Sequence, residues 1–285
     1  MPIASIDGRA LISVTGADAQ HFLQNLVTTD IDQLGSHEVR PGALLTPQGK
    51  ILHSFLVSHV TDGFVLECDA ASADDFSKRL MLYRMRAKVA ISSENQASVR
   101  VSWDPESSPS QEDSTAWLAD VRFPAAAGVL RSYGRAVADA EASGFDVVRI
   151  ASGVAEAGRD FEDGEAFPHD VGLDQTHGVS FRKGCYVGQE VVSRMQHRGT
   201  ARRRIVTVSA DEALPATGTE LTADGKPVGR LGTIVGNSGL ALVRLDRVAD
   251  ALAAGIPVEA KGVVLAIHVP PGVTYSLDGA GQAED

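Results

Sequence analysis

Hydrophobic positions near the N-terminus switch between the period of a strand and that of a helix. Residues 9–14 alternate and predict a strand, and apolar side chains at 19, 22, 23 and 26 then recur at helical spacing. A second helix is predicted over 72–86, with short strands before and after it. Hairpins that fall between helices in this way are typical of an α+β sheet rather than of a doubly wound parallel sheet.

A cluster of turn-forming residues separates two apolar runs in the same region. The runs are 43–45 and 51–57, and the residues between them read Thr-Pro-Gln-Gly-Lys. Because proline and glycine favour tight turns, this pattern predicts a β-hairpin.

The strand and helix pattern returns after a polar stretch near 103–116. Strands are predicted over 116–123 and 129–133, followed by a helix over 137–150 that is interrupted near Gly144. A second α+β lobe is therefore expected after the first.

Beyond Arg204 the chain breaks into short β segments that are separated by glycines. Asp224 and Gly225 have the composition of a type I′ hairpin turn. This part of the chain predicts a small antiparallel barrel or sandwich.

Taken together, the pattern predicts an α+β fold in three stretches. We expect a body over 1–200 whose two α+β lobes divide near 103–116, a C-terminal β-barrel over 201–275, and a flexible tail over 276–285. The length of 285 residues agrees with more than one folding unit, since one domain takes roughly 100–200 residues.

Composition narrows the functional classes. The net charge is −11, so any contact with a polyanion must come from a local basic patch. The two cysteines, Cys68 and Cys185, exclude a disulfide scaffold and a site built from four thiolates, and they favour a reducing compartment.

No apolar run reaches the roughly 20 residues of a membrane helix, and the first residues lack the pattern of a secretory signal. We therefore expect a cytoplasmic protein without membrane contact.

The stretch 179–194 carries the clearest chemistry. A short strand is predicted over 179–181, Gly184 and Gly188 bracket a tight turn, and helix-forming residues follow from Gln189. Cys185 would lie just before a helix N-terminus and close to Lys183, and both features favour the thiolate over the thiol. Cys185 is thus a candidate reactive or metal-ligating residue, and the alternative is a small buried apolar side chain.

The other cysteine has a different setting. Cys68 follows an apolar strand and has neither basic neighbours nor glycines beside it. This setting predicts a packed core residue rather than a reactive thiol.

Basic residues are dense between Arg182 and Arg204, where Glu190 is the one acid. One interpretation is a patch for a polyglutamate tail, an acidic partner or RNA. The other is that several of these arginines pair with internal carboxylates. Aromatic residues are too sparse here for a platform on which single-stranded bases stack.

Other motifs are absent or weak. The chain has no G-x-S-x-G, Walker or G-x-G-x-x-G motif, which disfavours serine hydrolases, P-loop enzymes and dinucleotide-dependent enzymes. His169, His177 and His197 lack the spacing of a helical metal site, so we interpret them as loop and turn residues.

Residues 183–190, Lys-Gly-Cys-Tyr-Val-Gly-Gln-Glu, resemble the K-G-C-[FY]-x-G-Q-E signature of the YgfZ family. Weaker similarities occur at 45–50, 82–89 and 167–170, so that the resemblance covers nearly the whole chain. These are folate-binding proteins related to the glycine-cleavage T-protein and involved in iron–sulfur cluster assembly or repair.

The resemblance implies three lobes around a central channel that holds tetrahydrofolate. It also implies that Cys185 is the functional thiol and that its loop faces the channel. Cys185 would then be a shared iron–sulfur ligand, because one thiolate cannot hold a cluster alone. The other residues that the resemblance assigns are Lys183 and Arg194 beside the thiol, and Gly184, Tyr186, Gly188, Gln189, Glu190, Arg149 and Asp170 toward folate.

Two positions depart from catalytic T-proteins. Those enzymes carry an acid where this chain has Cys185, and another acid where Ala151 follows Arg149-Ile150. A carboxylate at the second position could accept hydrogen bonds from the N–H edge of a pterin, which alanine cannot do. The resemblance therefore leaves enzymatic activity open.

Three functions follow as hypotheses. The leading one is a folate-dependent accessory protein for iron–sulfur cluster assembly or repair, linked to tRNA thiolation through iron–sulfur enzymes. The first alternative is a tetrahydrofolate-dependent aminomethyltransferase, and the second is an RNA- or protein-binding module that uses the basic span. The expected partners are folate and iron–sulfur client or assembly proteins, direct tRNA binding belongs to the second alternative, and the expected state is a monomer.

Overall fold

A computed structural model describes residues 2–104, 117–134 and 138–277. The polar stretch where the two lobes were expected to divide falls mostly outside these residues, as does most of the tail over 276–285.

Within the described residues, the helices are α1 Ala19–Gln24, α2 Ala73–Arg84, α3 Ala142–Ser152, α4 Gln189–Arg198 and α5 Leu245–Ala253. The strands are β1 Ile3–Ile6, β2 Arg9–Thr15, β3 Glu38–Leu45, β4 Ile51–Val60, β5 Gly63–Asp69, β6 Ala90–Glu94, β7 Val99–Trp103, β8 Leu118–Asp120, β9 Val129–Ser132, β10 Arg203–Ser209, β11 Glu220–Ala223, β12 Lys226–Val235, β13 Ser238–Arg244, β14 Val258–Ala260 and β15 Val263–His268.

One sheet joins both halves of the body, in the strand order β1-β7-β9-β8-β3-β4-β5-β2-β6. Its pairings are antiparallel except at β3 and β8, where Val39 lies beside Asp120 in parallel register. The predicted hairpin is β3–β4, and its turn is closed by the Thr46 N–H donating to the Lys50 carbonyl at 2.8 Å. The α+β prediction is confirmed.

The last six strands form a closed barrel in the order β10-β13-β12-β11-β14-β15, in which β15 pairs back onto β10. Asp224 and Gly225 both have positive φ, at 50° and 69°, as a type I′ turn requires. Helix α5 was not predicted, and it buries Leu245, Val248 and Ala251 in the barrel core.

Two local predictions were wrong. Gly144 lies inside α3 rather than interrupting a helix, because a Cβ there would come within 2.9 Å of the Trp103 ring and glycine lets the helix pack closely. Residues 179–181 form an extended loop instead of a strand. The Ser180 N–H does donate to the Thr28 carbonyl at 2.9 Å, which ties this loop to the first lobe.

Separate apolar cores lie under α1 and α2, inside the barrel, and around the irregular segment between α3 and α4. Cys68 is fully buried in the first of these cores, as predicted. Among the described residues, no helix is long and apolar enough to cross a membrane.

Candidate functional site

The loop over 183–190, which we call the signature loop, is anchored on the first lobe by Lys183. The Lys183 Nζ donates to the carbonyls of Val27 and Thr29, both at 2.7 Å, and lies 5.3 Å from the centre of the Tyr186 ring. Burial lowers the pKa of Lys183 to about 8, although the charge of Asp30 partly opposes this shift. The ammonium group therefore holds the loop in place instead of extending into solvent.

Tyr186 is the second anchor of the signature loop. Its ring is buried in the core with Leu45, Ile51 and Val192, and burial raises the pKa of its hydroxyl to about 12. Cys185, which lies between Lys183 and Tyr186, is exposed. A thiol that is fixed at both sides and open to solvent is accessible to another protein.

The signature loop ends in helix α4. Gly188 takes φ +78° next to the β3–β4 turn, and the helix begins at Gln189, four residues after Cys185. Arg194 donates to the exposed Glu190 at 2.6 Å along the helix surface. Lys183 and Arg194 are therefore both engaged with groups other than the thiol.

A cavity of about 240 Å³ lies between the segment after β8, the irregular segment after α3 and the barrel. Arg122 after β8, Ala155 after α3 and Tyr275 after the barrel contribute to its wall. A smaller cavity of about 50 Å³ shares Arg122 and Ala155 and reaches Gly42 in β3 and Phe55 in β4. We call these two spaces the central cavities.

The signature loop does not line either of these cavities. Among the described residues that line the two cavities, none comes from 183–190. The physical reason is that Lys183 and Tyr186 both extend into the first lobe, so that Cys185 between them is directed outward. The exposed thiol and the central cavity are separate features of the molecule.

Glu156 lies in the wall of the smaller cavity and is surrounded by arginines. Its carboxylate oxygens are 3.6 Å from Arg149 Nε, 3.7 Å from Arg159 Nη1 and 3.9 Å from Arg122 Nη1. Burial alone would raise the pKa of this carboxyl, but the positive charges of Arg149, Arg9 and Arg122 lower it to about 2. Within the described part of the chain, none of these contacts is a close hydrogen bond, so the ionised carboxylate keeps acceptor capacity for a ligand.

Two residues that the resemblance assigns to folate are held in the interior. Arg149 is fully buried, and its Nη2 donates to Asp160 at 2.7 Å and to Thr233 at 3.2 Å. Asp170 is buried and accepts from Arg203 at 2.5 Å. Neither residue lines the central cavities, because its polar atoms already join separate parts of the chain.

The basic span divides into two groups. Arg203 pairs with Asp170, and Arg204 donates to Asp174 at 2.8 Å, so these two arginines bind internal carboxylates. Lys183 is bound to backbone carbonyls of the first lobe, whereas Arg182, Arg198 and Arg202 are exposed on the surface. Because Asp170 and Asp174 neutralise Arg203 and Arg204, the positive charge at the surface is smaller than the sequence alone suggests.

Within the described ranges, no group of three or more His, Cys, Asp or Glu side chains is placed to hold a metal ion. His169 is buried, its Nε2 lies 3.0 Å from Gln196 Oε1, and burial lowers its pKa. Among the described residues, Cys185 is therefore not part of a group that could hold iron by itself.

The barrel matches a family model described as the CAF17 C-terminal beta-barrel domain, over residues 202–275. A much longer match is to a Homo sapiens protein named iron–sulfur cluster assembly factor IBA57, mitochondrial, which is 32% identical and covers 93% of this chain and 83% of that one. The chain belongs to the IBA57 family of iron–sulfur cluster assembly factors. Another IBA57 relative, from Mus musculus, is 30% identical over 85% of this chain and 77% of its own length.

Membership of the IBA57 family supports one expectation from the resemblance to YgfZ proteins, namely a role in iron–sulfur cluster assembly. It overturns one expectation, because the IBA57 proteins of Homo sapiens, Mus musculus and Chaetomium globosum are all mitochondrial by name, whereas a cytoplasmic location was predicted. That prediction was wrong because reduced thiols fit any reducing compartment and so do not separate the mitochondrion from the cytoplasm.

A solved structure shows the same fold. The crystal structure of glycine cleavage system aminomethyltransferase T from Bartonella henselae covers 95% of this chain and 86% of its own, with a TM-score of 0.66 and 16% identity. This confirms the predicted T-protein-like architecture with a C-terminal barrel. At such low identity the match establishes the fold alone.

Sequence reasoning missed Arg122 and Glu156, which contribute charged groups to the central cavities. Neither belongs to a motif, and Glu156 is one acid among several in an irregular segment.

Proposed function

We propose that this chain is a folate-dependent accessory protein for the assembly or repair of iron–sulfur clusters. The observation that carries the proposal is an exposed Cys185 fixed between two buried anchors in a member of the IBA57 family. Cys185 would supply one thiolate ligand to a cluster, which is the cargo, and the partner would supply the others. A link to tRNA thiolation would be indirect, through iron–sulfur enzymes that receive clusters.

The central cavities support folate as the second component. The ionised Glu156 offers acceptor oxygens for the N–H edge of a pterin, and apolar side chains such as Val171 and Leu173 line the same walls and suit the faces of a flat ring. These residues fit the group. Tetrahydrofolate, when bound, supplies a reduced ring that carries one-carbon units.

The thiol part of the proposal is tested by Cys185→Ser in cells that lack their own copy of the protein. We expect the activities of iron–sulfur enzymes that depend on it to fall to the level of the deletion strain, because a serine hydroxyl is not a cluster ligand under these conditions. Cys68→Ala is the control, since it removes the other thiol and leaves Cys185 in place. Full rescue by Cys185→Ser would show that the thiol has no part in the function.

The folate part is tested by calorimetric titration of tetrahydrofolate into the full-length purified protein. We expect saturable binding to wild type and to Cys185→Ser alike, because the thiol and the cavities are separate. If wild type shows no saturable binding, the cavities do not hold folate, and the proposal for the thiol is judged on its own experiment.

A further inference from the structure

The end of helix α2 exposes a group of large apolar side chains. The exposed fractions are 49% for Met81, 73% for Leu82, 42% for Tyr83 and 87% for Met85. Single exposed apolar residues are common on protein surfaces, but a contiguous group marks a contact surface. We call residues 81–88 the α2 patch.

The α2 patch is not a displaced part of the core. Helix α2 already buries Ala73, Phe76 and Leu80 against the first lobe, so the exposed side chains lie on its remaining surface and at its end. The patch is also held in a fixed position, because the Ala87 N–H donates to the Arg84 carbonyl at 2.8 Å.

Met85 is the most exposed member, and it ends α2 with φ 46° and ψ −104°. A bulky residue rarely adopts positive φ, and it does so when the surrounding structure imposes that conformation. Here the chain is tied beyond it by the Lys88 N–H, which donates to Asp18 Oδ2 at 2.7 Å. The fold therefore presents the Met85 side chain outward at a cost in backbone strain.

The charge around the α2 patch is opposite to that of the whole chain. Between residues 76 and 93 there is no Asp or Glu, whereas this stretch contains Lys78, Arg79, Arg84, Arg86 and Lys88. Arg79 pairs with Asp75 and the Asp18 carboxylate contacts the Lys88 N–H, and the basic residues beside the exposed apolar group are Arg84 and Arg86. The chain as a whole has a net charge of −11. An apolar surface with a basic rim is complementary to an apolar surface with an acidic rim.

The α2 patch and the signature loop are tied to opposite ends of helix α1. Lys88 contacts Asp18 directly before α1, and Lys183 contacts Val27 and Thr29 shortly after it. Helix α1 has six residues and is therefore about 9 Å long. The tie points of the two regions are therefore separated by one short helix.

We propose that the α2 patch docks a protein partner whose contact surface is apolar with an acidic rim, next to Cys185. This rests on the proposed function only in that the docked partner would share a cluster with Cys185. A protein is favoured over a membrane because helices that lie on membranes use a long continuous apolar face. The exposed apolar side chains of the patch span five residues, and the long face of α2 is already buried.

The first experiment places the photo-crosslinking residue p-benzoylphenylalanine at Leu82 of the full-length chain in cells. The matched control carries it at Leu252, which is 43% exposed on α5 of the barrel. We expect a specific adduct from Leu82, with the crosslinked partner peptide identified by mass spectrometry as an apolar segment bordered by Asp and Glu. Equal adducts from both positions, adducts to lipid, or adducts to a second copy of this chain would overturn the proposal.

The second experiment tests the charge of the rim with a defined probe, a synthetic peptide that alternates Leu and Glu, measured by fluorescence anisotropy. We expect the double variant Arg84→Glu, Arg86→Glu and the variant Leu82→Asp each to weaken binding by about 10-fold or more, since loss of a central contact typically costs this much. Arg230→Glu, on the barrel, should leave binding unchanged. Unchanged binding by the α2 variants, or equal binding of a Leu and Lys peptide, would contradict the proposal.

A third measurement separates this proposal from the proposed function. Cys185→Ser should keep the Leu82 adduct while losing the support of iron–sulfur enzymes. If the adduct is absent from every variant but Cys185→Ser still inactivates, the docking surface is wrong and the function of the thiol stands. If the adduct forms but Cys185→Ser is fully active, the docking surface stands and the function of the thiol is wrong.

Discussion

Gly184 and Gly188 flank Cys185 in the sequence, but they meet different constraints. Gly188 has φ +78°, and a Cβ on it would come within 2.6 Å of the Thr46 carbonyl oxygen. Gly184 has no atom within 4 Å of the place where a Cβ would be. The close approach of the signature loop to the β3–β4 turn therefore depends on Gly188.

We expect Gly188→Ala to lower the free energy of unfolding by roughly 2 kcal/mol, because the added methyl group meets backbone at a positive φ. Urea unfolding followed by circular dichroism measures this. Gly184→Ala is the matched control and should change stability by no more than about 0.5 kcal/mol. Equal effects of the two substitutions would contradict the assignment.

Lys183 makes contacts that its place in the sequence does not reveal. Its place beside Cys185 suggested a charge that favours the thiolate, but its Nζ is hydrogen-bonded to two backbone carbonyls of the first lobe. The neighbouring sequence cannot reveal this, since the two carbonyls are about 150 residues away along the chain.

At the scale of elements, the irregular segment between α3 and α4 organises the interior charges. Glu156 in this segment contacts arginines from α3, from the loop after β8 and from the segment itself. Periodicity predicted strands and helices well because each repeats within a few residues. Periodicity does not predict the conformation of the segment between α3 and α4, because ion pairs between distant residues set its shape.

Glu156 also gives the fold a dependence on acid. Its pKa of about 2 in the folded protein lies below the ordinary value of 4.5, so its contribution to stability is present above about pH 4.5 and is lost as the pH falls toward 2. We expect Glu156→Gln to be less stable than wild type at pH 7 and to show a shallower loss of stability between pH 4.5 and 2. Urea unfolding at a series of pH values measures both effects.

The control for this prediction is Glu162→Gln, which removes an exposed carboxylate from the same segment. It should follow the wild-type profile. A Glu156→Gln profile parallel to wild type would mean that the arginines do not hold this carboxylate in its ionised form.

At the scale of the whole molecule, a buried ion pair joins the barrel to the body. Asp160 accepts from Arg149 at 2.7 Å and from the Thr233 N–H of β12 at 2.6 Å. Removing one partner of a buried pair is costly because the other charge stays behind without compensation. The barrel and α3 are thus coupled through one carboxylate.

We expect Asp160→Ala to destabilise the protein by about 3–5 kcal/mol and to separate the unfolding of the barrel from that of the body. Differential scanning calorimetry should show two transitions in place of one. Glu220→Gln, an exposed change on the barrel, should leave the wild-type trace. A single transition at the wild-type temperature in Asp160→Ala would contradict this account.

The sequence by itself determined the order of most strands and helices and the C-terminal barrel, because these depend on short-range periodicity and on turn residues. Only the tertiary structure showed which partners the individual charged side chains contact. Arg149 and Asp170 were assigned to folate by resemblance, yet they lie in ion pairs that join separate parts of the chain.

The tertiary structure also decided the direction of Cys185 and the place of Glu156. The anchors of the signature loop contact residues more than 130 positions away, and Arg149 reaches Thr233 across 84 positions. Such contacts form only when whole lobes pack, and a local pattern does not specify that packing. The sequence therefore nominated Cys185 as a candidate, whereas the packing of the chain left its thiol exposed and apart from the central cavities.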